Sequence, residues 1–311
     1  VSAASLISLR AGGTSSSAPM LRSEHVLLLL DGNECLHRAY EALTKQGVRF
    51  LNASGEPNGA VRVLMTTLMK LARDLKVTHM AVMMDSPCGC GWRRAACAEY
   101  KAHRASVAAD LRSQFALARE ACDAFAVPWR MVDGYEADDL VGTYATEAAK
   151  LETCMVVLAS SDKDLAQLVG PRVRLLPYHA LKGEASLKHS MDASAVEAKY
   201  GVGPGLIGDY LALVGDAVDG LHGVRGIGPK TAAELLKAHG GLEEALRAAA
   251  EGRVLCSRGA ARVARSLAEA AEETRRMREL IALRPVPGVG AASWREDFAL
   301  APRDEAWLRR A

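Results

Sequence analysis

Nine carboxylates stand in five short clusters along the chain: Asp31; Asp85; Glu136, Asp138 and Asp139; Asp162 and Asp164; and Asp216 and Asp219. Two unit charges 4 Å apart repel by roughly 4 kcal/mol at an effective dielectric near 20, so such a set is costly to assemble unless cations neutralise it. Divalent metal ions suit it, because a two-metal site with ions about 4 Å apart needs several carboxylates, some of them bridging. Helix capping accounts for one acid in a first turn, at about 0.3–1 kcal/mol. It does not account for three acids within four residues at 136–139, or for the four other clusters.

Three clusters follow apolar runs, at 26–30, 80–84 and 155–159 with Ser160 and Ser161 after the last. Short apolar runs between helical patterns read as buried parallel strands, and ligands of such sheets lie beyond the carboxyl ends of the strands. The expectation is therefore a parallel α/β sheet with its carboxylates on one edge. Helices are expected over 61–75, with Asn58 as cap, over 92–104 and 107–126, over 136–149 and over 164–169; further strands are expected at 127–132 and 173–176. Asp216 and Asp219, three apart, are expected to close a helix over 205–215, facing one side. After about residue 190 the chain turns Ala-, Leu-, Lys- and Glu-rich with helical periods, which predicts a helical second region.

Residues 223–232, GVRGIGPKTA, form the second strong pattern. Gly226 and Gly228 permit a tight turn with outward amides, Pro229 suits the first position of a helix, and Lys230 adds charge. Amides at a helix N-terminus bind phosphate without reading sequence, so this is a helix-hairpin-helix pattern for a nucleic-acid backbone. The segment 92–119 carries Arg93, Arg94, Lys101, Arg104, Arg112 and Arg119 against Glu99 and Asp110. If helical, it sets Arg93 and Lys101 on one ridge, within reach of a phosphate held at the metals. Trp92 and Tyr100 read equally as base-stacking platforms or as core.

The 311 residues are 50% hydrophobic with a net charge of +2, enough for a sizeable core and neutral enough that basic surface must be segregated from the acidic site. Seven cysteines with no framework spacing read as reduced thiols. No apolar run reaches the roughly 20 residues of a membrane helix. Residues 1–24 are Ser- and Ala-rich, with Arg10 and Arg22 and no acid before Glu24. That composition fits an organellar transit peptide, and equally a disordered tail or an expression remnant.

The motifs LLLLDGN, GEPNGAVRVLMTTLMKLARDLKVTHMAVMMD, EYKAHR, GYEADDLVGTYA, SSDKDLAQLV and GDAVDGLHGVRGIGPKTAAELL, in this order, resemble the 5′ nuclease family: the 5′-3′ exonuclease domain of bacterial DNA polymerase I, its free-standing relatives and, more distantly, the flap endonucleases. The resemblance covers about residues 25–300. It implies a PIN-like parallel-sheet core over 25–190 with a helical arch at 86–126, and a helical DNA-binding region over 191–311 with a helix-three-turn-helix at 205–238. It assigns Asp31, Asp85, Glu136 and Asp138 to a first metal site, and Asp139, Asp162, Asp164, Asp216 and Asp219 to a second. It makes Lys101 and Arg93 catalytic helpers at the scissile phosphate, and Arg38, Arg94, Arg104, Gly223, Gly226, Gly228, Lys230 and Thr231 DNA contacts. It further implies two Mg²⁺ ions, with Mn²⁺ as substitute, and K⁺ on the hairpin carbonyls. Gly220 in place of an Asn, His37 in place of an aromatic and Ala98 in place of a Pro depart from the pattern.

The expected activity is Mg²⁺-dependent 5′-3′ exonuclease and 5′-flap cleavage of DNA in primer removal, replication or repair. The alternatives are a non-catalytic duplex-DNA-binding module and a PIN-type ribonuclease. Residues 1–311 carry no polymerase region, which predicts a DNA polymerase acting from a separate chain, with the protein itself a monomer. A transit peptide would send the protein to a mitochondrion or chloroplast; otherwise the cytoplasm or nucleoid is expected.

Overall fold

The computed structural model describes residues 23–300 other than 90, 105, 182, 183 and 257. The leader reading at 1–24 therefore lies almost wholly outside the described residues.

In chain order the elements are β1 (His25–Asp31), α1 (Gly32–Lys45), α2 (Gly59–Asp74), β2 (His79–Met83), α3 (Gly91–Ala96), α4 (Ala109–Ala124), β3 (Trp129–Arg130), α5 (Ala137–Ala148), β4 (Cys154–Ala159), β5 (Val173–Leu176), α6 (Ala193–Tyr200), α7 (Ile207–Val214), β6 (Gly215–Asp216), β7 (Leu221–His222), α8 (Pro229–His239), α9 (Leu242–Ala250), α10 (Ala260–Glu269), α11 (Ala271–Ile281) and α12 (Trp294–Asp297). The five-stranded sheet runs β3-β2-β1-β4-β5, every pairing parallel. Successive strand side chains point to opposite faces, so the apolar runs serve two layers. Leu28, Leu30, Met80, Val82 and Val157 pack with α1, α2 and α4, while Leu27, Leu29, Ala81, Met83 and Val156 pack with α5 and the C-terminal helices. Central strands covered on both sides must be apolar throughout, which is what the sequence pattern registered.

The second apolar layer is continuous from Leu27 and Val156 through Ile207, Leu235 and Leu267 to Phe298, so the helical region shares a core with the sheet across residue 190. Residues 298–300 strap back across β2: Met80 N–H donates to the Phe298 carbonyl at 2.9 Å, and Leu300 N–H to that of Thr78 at 3.0 Å.

Several local expectations are corrected. Asn58 precedes α2 but makes no cap bond; Gln114 Oε1, from α4, accepts from Ala60 N–H at 2.8 Å instead. The arch helix expected over 92–104 ends at Ala96, and 98–104 run through turns. Lys101 there has φ +54, and its N–H donates to the Asp219 carbonyl at 2.8 Å. Residues 164–168 form a 3₁₀ turn rather than an α-helix. Helix α7 stops at Val214, because Gly215 turns to φ +86 and opens the β6–β7 hairpin. A Cβ on Gly215 would stand 2.4 Å from the Gly223 nitrogen.

Candidate metal centre

Each acidic cluster is placed by a strand end or a turn at the same sheet edge. Asp31 closes β1 and caps α1, accepting from Glu34 N–H at 2.9 Å. Asp85, two residues beyond β2, reaches across to the start of α5, where its Oδ1 accepts from Ala137 N–H at 2.7 Å. Asp138 and Asp139 lie in the first turn of α5, Asp162 follows β4, and Asp164 opens the 3₁₀ turn. Asp216 and Asp219 belong to the β6–β7 hairpin rather than to a helix end, and Asp219 N–H donates to the Asp216 carbonyl at 3.1 Å. Asp164, Asp216 and Asp219 bring carboxylate oxygens within 4.8 Å of one another.

The electrostatics are those of a site short of positive charge. Burial first, then Asp85 and Glu34, push the Asp31 carboxyl well above the usual range. Burial and the charges of Asp162 and Asp31 do the same at Asp138, and burial with Asp162 and Asp219 at Asp164. Asp162 is pushed up to about 6, by burial and then by Asp219 against a bond from the Asp164 amide. Burial also raises Asp85. Two buried oxygens, Asp138 Oδ1 and Asp164 Oδ1, have no hydrogen-bond partner. Unpaired buried acceptors are expensive, and hard divalent cations take oxygen ligands of this type. The donor set therefore fits divalent ions.

Four cations share the remaining charge. Lys101 Nζ sits 2.8 Å from Glu136 Oε1 and 3.7 Å from Asp219 Oδ2. Arg104 donates to Asp219 Oδ1 at 2.6 Å, and Lys163 Nζ lies 3.0 Å from Asp216 Oδ1. Burial would raise the Glu136 carboxyl, but Lys101 and Arg93 together hold it below the usual range. Arg93 corrects its expected role. Its side chain is 3% exposed and makes a two-pronged contact to Asp139 at 2.8 and 2.9 Å, a third bond to Glu136 at 2.9 Å, and bonds to the carbonyls of Leu280 and Ala282. So committed, it cannot face a phosphate; it joins the arch base to α5 and the end of α11. Asp139, fully buried, is saturated by Arg93, by Arg284 N–H at 2.9 Å and by Glu136 N–H at 3.3 Å, which sets it apart from the other carboxylates as a support. The common ridge for Arg93 and Lys101 also disappears, because α3 ends between them.

Neither Trp92 nor Tyr100 is free for base stacking. Tyr100 is buried with its hydroxyl donating to Glu136 Oε2 at 2.8 Å, and the Trp92 ring is covered by the guanidinium groups of Arg284 and Arg93, 3.4 and 4.6 Å from its centre. Gly220 has φ +76, and a Cβ there would meet the Glu99 carbonyl at 2.8 Å, so this glycine lets the arch lie against the 216–220 turn. Among the expected DNA contacts, Arg94, Gly226 and Lys230 are exposed, while Gly228 and Thr231 are partly covered. Gly226 has φ +82, whereas Gly228 is extended, and a Cβ on either points into open space. Gly223 is needed for another reason: a Cβ there would lie 2.3 Å from the Val214 carbonyl, so it packs the hairpin against α7. Arg38 is half exposed, 3.6 Å from Glu34 and over the Tyr178 ring. The sequence reading missed Glu34, Lys163, Ser160, Ser161 and Tyr178. A lysine between two site aspartates was a signal for Lys163; a single acid in a first turn gave none for Glu34.

Comparison with known proteins agrees over both regions. A family profile described as 5′-3′ exonuclease, N-terminal resolvase-like domain, matches residues 26–201, and one described as 5′-3′ exonuclease, C-terminal SAM fold, matches 202–295. The chain is 35% identical over 216 residues to a 5′-3′ exonuclease of Buchnera aphidicola, covering 70% of the chain and 67% of that relative. It is 38% identical over 226 residues to DNA polymerase I of Pseudomonas aeruginosa, of whose length the match spans 23%. Among solved structures, a bacteriophage T5 5′-exonuclease with bound divalent metal ions (zinc) has a TM-score of 0.66 at 19% identity, covering 87% of this chain and 93% of that one. A T5 flap endonuclease in a pseudo-enzyme–product complex with DNA and metal ions has a TM-score of 0.64, at the same identity and coverage. No helix among the described residues is long and apolar enough to cross a membrane.

Proposed function

The chain belongs to the 5′-3′ exonuclease family, and from that premise we propose that it is a Mg²⁺-dependent phosphodiesterase cutting DNA at 5′ ends and 5′ flaps during primer removal or repair. The observation that carries the reading is the pair of partnerless buried oxygens on Asp138 and Asp164 within a shell of carboxylates. Divalent ions held there supply the positive charge that stabilises an in-line displacement at phosphorus. Asp31, Asp85, Glu136 and Asp138 are the residues to hold one ion, and Asp162, Asp164, Asp216 and Asp219 the other, with Asp139 as the support that Arg93 clamps. Mg²⁺ is the working ion in this reading, Mn²⁺ its substitute, and the hairpin carbonyls of residues 223–228 a seat for K⁺.

Lys101 and Arg104 stand on Glu136 and Asp219. Bound divalent ions would compete for those carboxylates, which leaves the two cations free to turn to a phosphate. The amides around Gly226 and Gly228, with Lys230 and Thr231, lie at the start of α8, where they would grip a duplex backbone. Arg38 and Arg94, both exposed, complete the surface in this reading. Synthesis that follows cutting falls to a DNA polymerase in this reading.

The test uses 5′-labelled flap, nicked and single-stranded DNA, and a sequence-matched RNA flap, each with Mg²⁺ or EDTA. The expected result is Mg²⁺-dependent release of short 5′ products from DNA, fastest on the flap. Binding without cutting in Mg²⁺ would support a DNA-binding module, and faster cutting of the RNA flap a ribonuclease.

A further inference from the structure

Glu34 belongs to none of the acidic clusters, yet it is wired to two of them. It sits in the first turn of α1, and its N–H donates to Asp31 Oδ1 at 2.9 Å. Its carboxylate crosses from α1 to the turn after β4, the strand next to β1. There Oε2 accepts from Ser160 Oγ at 2.6 Å and from Ser161 N–H at 2.9 Å, and Oε1 lies 3.2 Å from the same amide. Ser160 Oγ in turn accepts from Asp162 N–H at 3.0 Å. The circuit closes on its other side, where Ser161 Oγ accepts from Tyr178 N–H at 3.1 Å and the Tyr178 hydroxyl donates to the Asp31 carbonyl at 3.0 Å. Asp31 and Asp162, on adjacent strands, are thus tied by a ring of hydrogen bonds with Glu34 at its centre.

Simpler roles do not account for this. The α1 N-terminus already has Asp31 as its cap, and one cap suffices. The pair with half-exposed Arg38 at 3.6 Å is of the kind that contributes little. A further acid beside Asp31 and Asp162 adds like-charge repulsion, and the return for that cost is the fixed turn.

We propose that Glu34 is a positioning residue: it holds the 160–162 turn so that Asp162 faces Asp31 and Asp138, and so fixes the spacing between the two ion sites. The inference rests on the two-ion reading given above. Groups that orient metal ligands cost about 10- to 100-fold in metal affinity when removed, which sets the expected effect.

The test is Mn²⁺ titration of the full chain followed by electron paramagnetic resonance, in which two neighbouring ions give a spin-coupled spectrum. The unaltered chain should bind a coupled pair. Glu34→Ala should keep the first ion, bind the second about 10- to 100-fold more weakly and lose the coupled signal at Mn²⁺ levels that saturate the unaltered chain. Glu34→Gln, whose amide oxygen can take the place of Oε2 and accept from both Ser160 Oγ and Ser161 N–H, should restore pairing to within about threefold. If Glu34→Ala fails to fold, Ser160→Ala cuts the same strap at its hydroxyl and should show the same loss. Unchanged pairing in Glu34→Ala, or in Ser160→Ala where that variant stands in, overturns the inference, as does a Gln variant no better than Ala. Absence of a coupled pair in the unaltered chain overturns the two-ion reading and this inference with it.

Discussion

Arg93→Ala is expected to damage the fold before it damages chemistry. The guanidinium makes three charged hydrogen bonds to Asp139 and Glu136 and two to carbonyls at the end of α11, with 3% of its side chain exposed. Single hydrogen bonds to charged groups contribute about 1.5–3 kcal/mol, but bonds sharing one partner do not add. The larger effect is the one left behind. Asp139 is fully buried and would keep only the Arg284 and Glu136 amides, and a buried ion stripped of its partner costs about 3–5 kcal/mol. Urea denaturation in EDTA should show a loss of that size, and the melting temperature should fall by roughly 6–15 °C at about 2–3 °C per kcal/mol. Replacing both partners, Arg93→Met with Asp139→Leu, should recover much of it, since an apolar pair leaves no charge unpaired. If Arg93→Ala instead keeps its stability to within about 1 kcal/mol while its flap-cutting rate collapses, the arginine acts on the substrate and the burial argument is wrong.

Three further outcomes follow from the same geometry. Lys101→Ala should lower the single-turnover rate on flap DNA about a hundredfold or more with little loss of affinity, as expected for a cation acting on the transition state; a fall in affinity alone would make it a tether. Asp162 is raised to about 6 from an ordinary value of 3.8, so the folded metal-free chain holds a proton there that the unfolded chain has released. The contribution of Asp162 to stability in EDTA, read as the difference between the unaltered chain and Asp162→Asn, should therefore be largest below about pH 4 and be lost, by up to a few kcal/mol, as pH rises through about 6, while Mg²⁺ should raise the melting temperature more at pH 8 than at pH 5; a contribution that grows through this window would contradict the assignment. Gly226→Val, at φ +82, should cost about 1–3 kcal/mol of stability, whereas Gly228→Val, extended and facing open space, should leave stability unchanged and weaken duplex binding alone; equal loss on single-stranded and duplex DNA would make the hairpin a connector.

The strands were legible because a central parallel strand must be apolar on both faces, and 26–30, 80–84 and 155–159 carry little else. The edge where Asp31, Asp85 and Asp162 gather followed from that alone. Illegible were features decided by contacts far along the chain. Lys101 takes a left-handed backbone because its amide reaches the Asp219 carbonyl, and nothing in EYKAHR announces it. Arg93 looked like a surface cation because the carbonyls that receive it, at Leu280 and Ala282, lie 187 and 189 residues further along the chain. Asp216 and Asp219 suited a helical turn, and the glycine pair 215 and 223 made them a hairpin instead. In each case the residue type was informative and the partner was not in view.

The central claim is that carboxylates from five segments form one divalent-ion site for phosphodiester hydrolysis. Asp138→Asn tests it most directly, because Asp138 offers a buried oxygen with no other partner and removing one negative charge relieves repulsion in the metal-free fold. Cleavage of 5′-labelled flap DNA is measured with excess protein in Mg²⁺, and binding of the same DNA in Ca²⁺. The account predicts flap binding like that of the unaltered chain, a metal-free fold at least as stable, and no detectable cleavage. Cleavage by Asp138→Asn at near the unaltered rate would contradict it.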